Sequence, residues 1–322
     1  MRSRAIRETL CYAHGCMSAL VLDGRKISAE IRSELRSRVE FLTLKYRSPG
    51  LAVILVGEDP ASEIYVRNKV KACQELGIRS FKSTPNSSIC TDELLSLVEG
   101  YNRDPEVDGI LVQMPLPKHV NSQRVLLAVD PSKDADGFHP FNVGNLVGNR
   151  PGPRSCTPAG IIELLKRYEI PLSGSRAVIV GRSDIVGKPM AMMLLHENAT
   201  VTICHSRTRD LAEECRRADI LVAAMGKPAM LTASYIRDGA VVVDVGMNRL
   251  TRSDEVQRLF AHEPSRLEAF AKTGSLTVGD VEPFAMQTKA SAYTPVPGGV
   301  GPLTIAMLMS NTVALAEQHL GG

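Results

Sequence analysis

Short, continuously apolar runs alternate with helix-like segments along almost the whole chain, and that alternation admits few folds. LAVILVG (51–57), GILVQMPLP (109–117), RAVIVG (176–181) and GAVVVDVGM (239–247) carry no polar alternation. Such strands are buried on both faces, as in parallel sheets covered by helices. The segments between them read as helices. In 60–77, Asp59 can cap the start, Pro60 takes the first helical position and Gly77 closes the end. Helices are also expected at 92–101, 187–197 and 303–318, and at TPAGIIELLKRY; further strands are expected at 199–206 and 218–226. The fold class is therefore α/β. Pro- and Gly-rich breaks at 148–158 and 294–302 divide the chain, the first as an interdomain connection. The polar, helix-prone stretch 250–275 reads as an insertion.

A chain of 322 residues is comfortable for two domains. With no Trp and 4% aromatics, the core must be aliphatic. A net charge of +3 is too balanced to point to a nucleic-acid or membrane partner. Seven cysteines, an odd number without a C-x-x-C pair, suit a reducing cytoplasm rather than a disulfide framework or a zinc site. No apolar run is expected to reach membrane-spanning length. Residues 1–16 carry Arg2, Arg4 and Arg7, so a transit peptide is one reading. Glu8 and the shortness of the segment favour the other, an extension ahead of a natural start at Met17.

The junction RAVIVG-RSDIVG places Gly181 at a strand end and Gly187 at a helix start. In that arrangement backbone N–H groups and the helix N-terminus face a pyrophosphate. The spacing is G-x-S-x-x-x-G, not G-x-G-x-x-G, so by pattern alone a structural tight turn explains it as well. The next strand ends in Cys204-His205-Ser206-Arg207, without the carboxylate that holds a ribose 2′-hydroxyl in NAD-binding proteins. Arg182, Ser183 and Ser206 instead offer donors suited to a 2′-phosphate. NADP is thus preferred over NAD. Outside a βαβ context, Arg182 would read as a solvated loop charge and Ser206 as a turn former.

Tyr65 and Lys69, four apart on the 60–77 helix, share one face beside the apolar stripe of Val66, Val70 and Cys73. A Lys there can lose hydration and serve in proton transfer. The bland alternative is a snorkelling Lys and a surface Tyr. Gln113 lies near the carboxyl end of an apolar strand, where ligands gather in open α/β sheets. Asp134 and Asp136 sit in the polar turn KDADGFHPFN and either make an Asx turn or hold an amino-bearing heterocycle. PVPGGVGP allows close backbone approach, as a hinge or as a wall against a flat ligand. His139 and His205 lack companions at ligand spacing, so no metal site is expected.

Together YVRNKVKA, GILVQMPLP, KDADGFHPFNVG, TPAG, GRSDIVGKPMA, ATVTICHS, VVVDVGMNR and TPVPGGVGPLTIAML resemble, in order, the bifunctional methylenetetrahydrofolate dehydrogenase/methenyltetrahydrofolate cyclohydrolase family over about residues 17–320. The resemblance implies two α/β domains around a cleft, the second a Rossmann-type NADP-binding domain. Residues 17–155 plus 289–322 would form the folate-binding domain, and 156–288 the cofactor domain. It implies a homodimer through the cofactor domains. By the same resemblance Lys69 transfers the proton in the cyclohydrolase step, Tyr65 stacks on the folate, Gln113 tunes Lys69 and Asp136 binds the pterin edge. Val112 and Met114 would line one wall, with Pro297, Gly298, Gly299, Val300 and Gly301 on another. Gly181, Arg182, Ser183, Ser206 and the backbone near Met247 would hold NADP. Stretch 250–275 is longer than the family's usual connection. Competing readings are a monofunctional NADP-dependent dehydrogenase, a non-catalytic NADP-binding regulator and a dehydrogenase for another small polar substrate. The Tyr65/Lys69/Gln113/Asp136 set argues against all three.

Overall fold

The structure, a computed structural model, describes residues 19–321. The expectation for residues 1–16 lies outside the described residues. The first part of the chain runs through β1 (Leu20–Val21), α1 (Gly24–Lys45), β2 (Gly50–Ile54), α2 (Pro60–Leu76), β3 (Arg79–Ser83), α3 (Thr91–Arg103) and β4 (Gly109–Val112). Then follow α4 (Ser122–Ala128), α5 (Pro140–Val147) and α6 (Cys156–Arg167). The second part contains β5 (Arg176–Val180), α7 (Gly187–His196), β6 (Thr200–Cys204), α8 (Leu211–Arg216), β7 (Ile220–Ala223) and β8 (Val241–Asp244). It continues through β9 (Asn248–Leu250), α9 (Ser253–Phe260), α10 (Pro264–Thr273), β10 (Leu276–Val278), α11 (Pro283–Lys289), β11 (Ala292–Tyr293) and α12 (Val300–Gly321).

Two parallel sheets result. One has the order β3-β2-β4 and the other β1-β11-β8-β7-β5-β6. Their strands alternate between two cores, as a period of two requires. Leu51 and Val53 of β2 face a core shared with α1 and α12, while Ala52 and Ile54 face Leu94 and Val98 of α3. In β5, Ala177 and Ile179 join that same shared core and Val178 and Val180 point the other way. One apolar core therefore runs from sheet to sheet through α1, α6 and α12, which pack on one another. The α/β class and the two sheets flanking a cleft agree with the sequence reading.

Two local expectations change, and a third gains detail. Over its 22 residues α12 is long and apolar enough to reach across a membrane, contrary to the sequence reading. Its apolar surface is used in the core, where Leu308, Met309, Val313, Leu315 and Ala316 are buried. The boundaries 17–155 plus 289–322 and 156–288 do not follow the sheets. Both β1 and β11 extend the six-stranded sheet, with Leu20 paired to Ala292 and Ala292 to Val241. Two-residue strands are too short to carry a pattern. The stretch 250–275 is a closed unit. The antiparallel pair β9–β10 brackets α9 and α10, and Val256, Leu259 and Phe260 form its own small core with Ala229.

Helix α2 forms as its ends predict. Asp59 accepts the Ser62 N–H at 2.8 Å, Gly77 turns left-handed with φ 77°, and Ile78 N–H closes on the Cys73 carbonyl at 2.9 Å. Past the end of β4, Gln113 N–H donates to Ile54 O at 2.8 Å, which extends the pairing with β2 by one residue.

Candidate active site

Lys69 projects from α2 and donates from Nζ to Gln113 Oε1 at 2.9 Å. The Gln113 amide donates from Nε2 to its neighbour's carbonyl, Met114 O, at 2.8 Å. Rotating that amide would break both bonds, so its oxygen is held toward Lys69. The sequence-expected pair of Lys69 and Gln113 is thus in contact. Alternation past β4 puts residues 112 and 114 on the opposite face from Gln113. Val112 is buried with Leu94 and Val98, and Met114 packs partly against that cluster. This corrects the expected wall from Val112: its side chain serves the core.

The two carboxylates of the polar turn divide the roles that sequence left open. Asp134 makes the turn: its carboxylate accepts N–H bonds from Gly137 at 3.0 Å, Phe138 at 3.2 Å and His139 at 2.8 Å, and from Asn142 Nδ2 at 2.9 Å. Asp136 keeps a carboxyl free of such partners and only partly exposed. Burial raises it to about 6, opposed by the Lys69 ammonium and assisted by the Asp134 charge. Behind them the buried Cys156 thiol is pushed well above its ordinary value by desolvation, with the Asp136 charge adding to the effect.

Tyr65, 40% exposed, donates from its hydroxyl to Met247 Sδ at 3.2 Å, and burial of its inner edge raises that hydroxyl's pKa. Tyr65 and Met247 line a cavity of about 430 Å³ with Pro297, Gly298, Gly299, Val300 and Gly301. Lys69, Gln113 and Asp136 lie outside this cavity's lining. Tyr65 and Ala72, four before and three after Lys69 on α2, line the same cavity as the Pro-Gly wall. The glycines are required by contact: a Cβ on Gly24 would meet Gly299 O at 1.6 Å, and Gly298 has φ 115°.

At the carboxyl end of the large sheet, Val180 pairs with Cys204 and with Ala223, and Ala223 with Asp244. The loops after these strands lie side by side where the chain order reverses around β5, the place where such sheets bind ligands. Gly181 has φ 141°, and a Cβ there would meet Ala224 O at 2.2 Å. A Cβ on Gly187 would meet Gly181 O at 2.3 Å. The turn is thus as narrow as a phosphate cradle needs. Ser183 Oγ accepts the Val186 N–H at 3.2 Å and the Gly187 N–H at 3.3 Å, and Arg182 and Ser206 are exposed beside it. With no carboxylate at residues 205–207, these donors fit a cofactor carrying a 2′-phosphate.

Two buried carboxylates that the sequence reading did not single out organise the backbone at this end of the sheet. Buried Asp244 accepts N–H bonds from Gly246 at 2.9 Å, Asp280 at 2.8 Å and Val281 at 2.9 Å. Burial nevertheless pushes it up to about 7, and the Asp280 charge adds to the rise. Asp280 collects the N–H groups that follow β7. The available signal was a lone acid beside glycine at each place, VVVDVG and VGD. The glycines are obligatory, because a Cβ on Gly279 would meet Asp244 Oδ2 at 1.8 Å.

Comparisons with known proteins agree with this geometry. The family described as tetrahydrofolate dehydrogenase/cyclohydrolase, catalytic domain, matches residues 22–136, and its NAD(P)-binding domain matches residues 155–320. A protein of Solibacter usitatus named bifunctional protein FolD is 59% identical over 301 residues, 94% of this chain and 98% of that one. The crystal structure of the bifunctional FolD dehydrogenase/cyclohydrolase from Campylobacter jejuni superposes with a TM-score of 0.85 at 45% identity, covering 93% of this chain and 99% of that one. The Trypanosoma brucei FolD, solved with NADP cofactor and inhibitor, gives 0.84 at 36% identity over 94% and 98%. The chain belongs to the tetrahydrofolate dehydrogenase/cyclohydrolase family.

Proposed function

We propose that this chain oxidises 5,10-methylenetetrahydrofolate with NADP⁺ and hydrolyses the resulting 5,10-methenyltetrahydrofolate to 10-formyltetrahydrofolate. The observation that carries the reading is the Lys69–Gln113 hydrogen bond beside Asp136, in a chain whose large sheet also ends in a narrow glycine turn suited to a cofactor. When bound at residues 181–183 and 206, NADP⁺ supplies a hydride acceptor. The chain's part in that step is positioning: Tyr65 offers a ring face to the folate's aromatic portion, and the Pro297–Gly301 wall and Met247 limit its travel.

Hydrolysis uses the chain's own groups. Water forms a bond to the cationic methenyl carbon, the bond from that carbon to ring nitrogen N5 breaks as the formyl C=O forms, and of the water's two protons one ends on N5 and the other is released to solvent. Lys69, held by Gln113, is the proton carrier. A dehydrogenase lacking the hydrolase step would have no use for a Lys whose partner is itself fixed by Met114 O.

Asp136 gives this reading a pH signature. Ionised, it accepts the amino and ring N–H groups at the pterin edge; protonated, it is a poorer acceptor. Its raised value means that the folded state keeps this proton longer than the unfolded state, so stability falls as pH rises from about 4 to about 6. The carboxyl is thus a functional group held at a cost to stability. We expect the KM for methenyltetrahydrofolate hydrolysis, measured without cofactor, to rise by up to about tenfold per unit below pH 6. Asp136→Asn should weaken binding at pH 7.5 and flatten that dependence. A wild-type chain that does not hydrolyse the methenyl compound contradicts the function; hydrolysis with an unchanged profile in Asp136→Asn contradicts only this residue's role.

The same reading makes the protein a homodimer through its cofactor domains and places it in the cytoplasm. The free thiols Cys73, Cys90, Cys156, Cys204 and Cys215 support a reducing compartment. Edge strand β6 supports the dimer. It has no Lys or Pro to protect it, and it adjoins an apolar groove of about 820 Å³ lined by Leu127, Val143, Val147, Ile185 and Ile203. A second copy of the chain would cover both. In sedimentation, Ile203→Lys should be monomeric at concentrations where the wild-type chain is a dimer; an unchanged dimer places the interface elsewhere.

A further inference from the structure

Asp280 is fully buried, and most of its carboxylate's hydrogen bonds come from a loop distant in sequence. Oδ2 accepts the N–H groups of Met225 and Gly226, the latter at 2.9 Å. Oδ1 accepts Lys227 N–H at 2.8 Å and Asn248 Nδ2 at 2.9 Å. Three successive peptide N–H groups from the loop after β7 therefore converge on one carboxylate. A concave run of amides closed on an anion has a fixed direction.

That direction matters because of what precedes the loop. Ala224 N–H donates to Val180 O at 2.9 Å, and Ala224 O is the atom that a Cβ on Gly181 would strike. The peptide that carries the first gripped amide, Ala224 C=O with Met225 N–H, is thus the back wall of the glycine turn after β5. We propose that Asp280 is a positioning residue for the cofactor half of the cleft: by holding residues 225–227 it sets the Ala224 carbonyl behind Gly181 and fixes the turn that receives the pyrophosphate. This rests on the assignment of that turn as the NADP site. Both oxygens of the Asp280 carboxylate are taken up by N–H donors of the chain itself. It acts through backbone, and no hydrogen bond links it to Lys69 or Gln113 among the described residues.

Asp280→Asn keeps volume and one acceptor oxygen but turns an NH₂ toward peptide N–H donors. Losing hydrogen bonds to a buried charged acceptor corresponds to about 10- to 100-fold in an equilibrium constant. Three measurements on the full-length protein test the proposal. Titration by NADPH fluorescence should show a Kd raised by about that factor. Hydrolysis of methenyltetrahydrofolate without cofactor should stay within about twofold of wild type. Amide hydrogen exchange should accelerate at residues 225–227 and not in α2. An unchanged NADPH Kd overturns the proposal. So does an equal loss of NADPH binding and hydrolysis, which marks a purely structural role. If Asp280→Asn does not fold, Asn248→Ala removes one donor from Oδ1 and should show the same split, smaller in size; no split there overturns the proposal as well. Failure of the wild-type chain to bind NADPH would refute the cofactor assignment itself, and is seen before any variant is made.

Discussion

Lys69→Met should reduce methenyltetrahydrofolate hydrolysis by about 10²- to 10⁴-fold, the usual contribution of a positioned proton carrier. Met keeps the length of the side chain and suits a helix interior, so α2 should be unaffected. What disappears is the Nζ donor 2.9 Å from Gln113 Oε1. The dehydrogenase step needs Lys69 far less, because hydride transfer depends on positioning by Tyr65 and the Pro-Gly wall. The methenyl compound should therefore accumulate in the variant while NADPH still forms. Stopped-flow absorbance distinguishes the two species. Undiminished formation of 10-formyltetrahydrofolate would remove Lys69 from the mechanism.

Gly181→Ala should give the opposite division. The backbone there has φ 141°, which costs about 1–3 kcal/mol for a residue with a Cβ. The new methyl would also sit 2.2 Å from Ala224 O, so the turn must open. NADP⁺ affinity should fall about 10- to 100-fold or more, and dehydrogenase activity at low NADP⁺ with it. Hydrolysis of added methenyltetrahydrofolate should be largely retained, because Gly181 lies after β5 of the large sheet while Lys69 and Gln113 belong to α2 and the end of β4. Calorimetric titration with NADP⁺ and a cofactor-free hydrolysis assay read the two effects. Equal losses in both would show that the turn and the hydrolytic wall are not separable.

What sequence revealed and what it hid follow from how each feature is encoded. Strands β2, β5, β7 and β8 are buried on both faces, so their composition alone identifies them. The turn at Gly181 and Gly187 is written in residue type because no side chain fits. The Lys69–Gln113 contact was foreshadowed by a polar residue at the end of an apolar strand. Pairing across sheets is different. Strands β1 and β11 are two residues each and exist because neighbours complete their hydrogen bonds, so no local pattern marks them. Local spacing left the roles of Asp134 and Asp136 open; which of them binds peptide N–H groups is set by the path into α5. The resemblance implies a wall position for Val112, whereas alternation along β4 turns its side chain into the core. The grips of Asp244 and Asp280 join loops far apart in sequence, and only the folded sheet brings those N–H groups to one carboxylate.

The central claim is that one cleft performs both reactions. Its most direct test follows absorbance of the purified wild-type chain with 5,10-methylenetetrahydrofolate and either NADP⁺ or NAD⁺, reading NADPH and the methenyl compound together. NADPH appearing with NADP⁺, with the methenyl species removed faster than its uncatalysed hydrolysis and so not accumulating, is the expected result. NADPH accompanied by steadily accumulating methenyltetrahydrofolate would contradict it, and would leave a dehydrogenase in which Lys69 has no hydrolytic task.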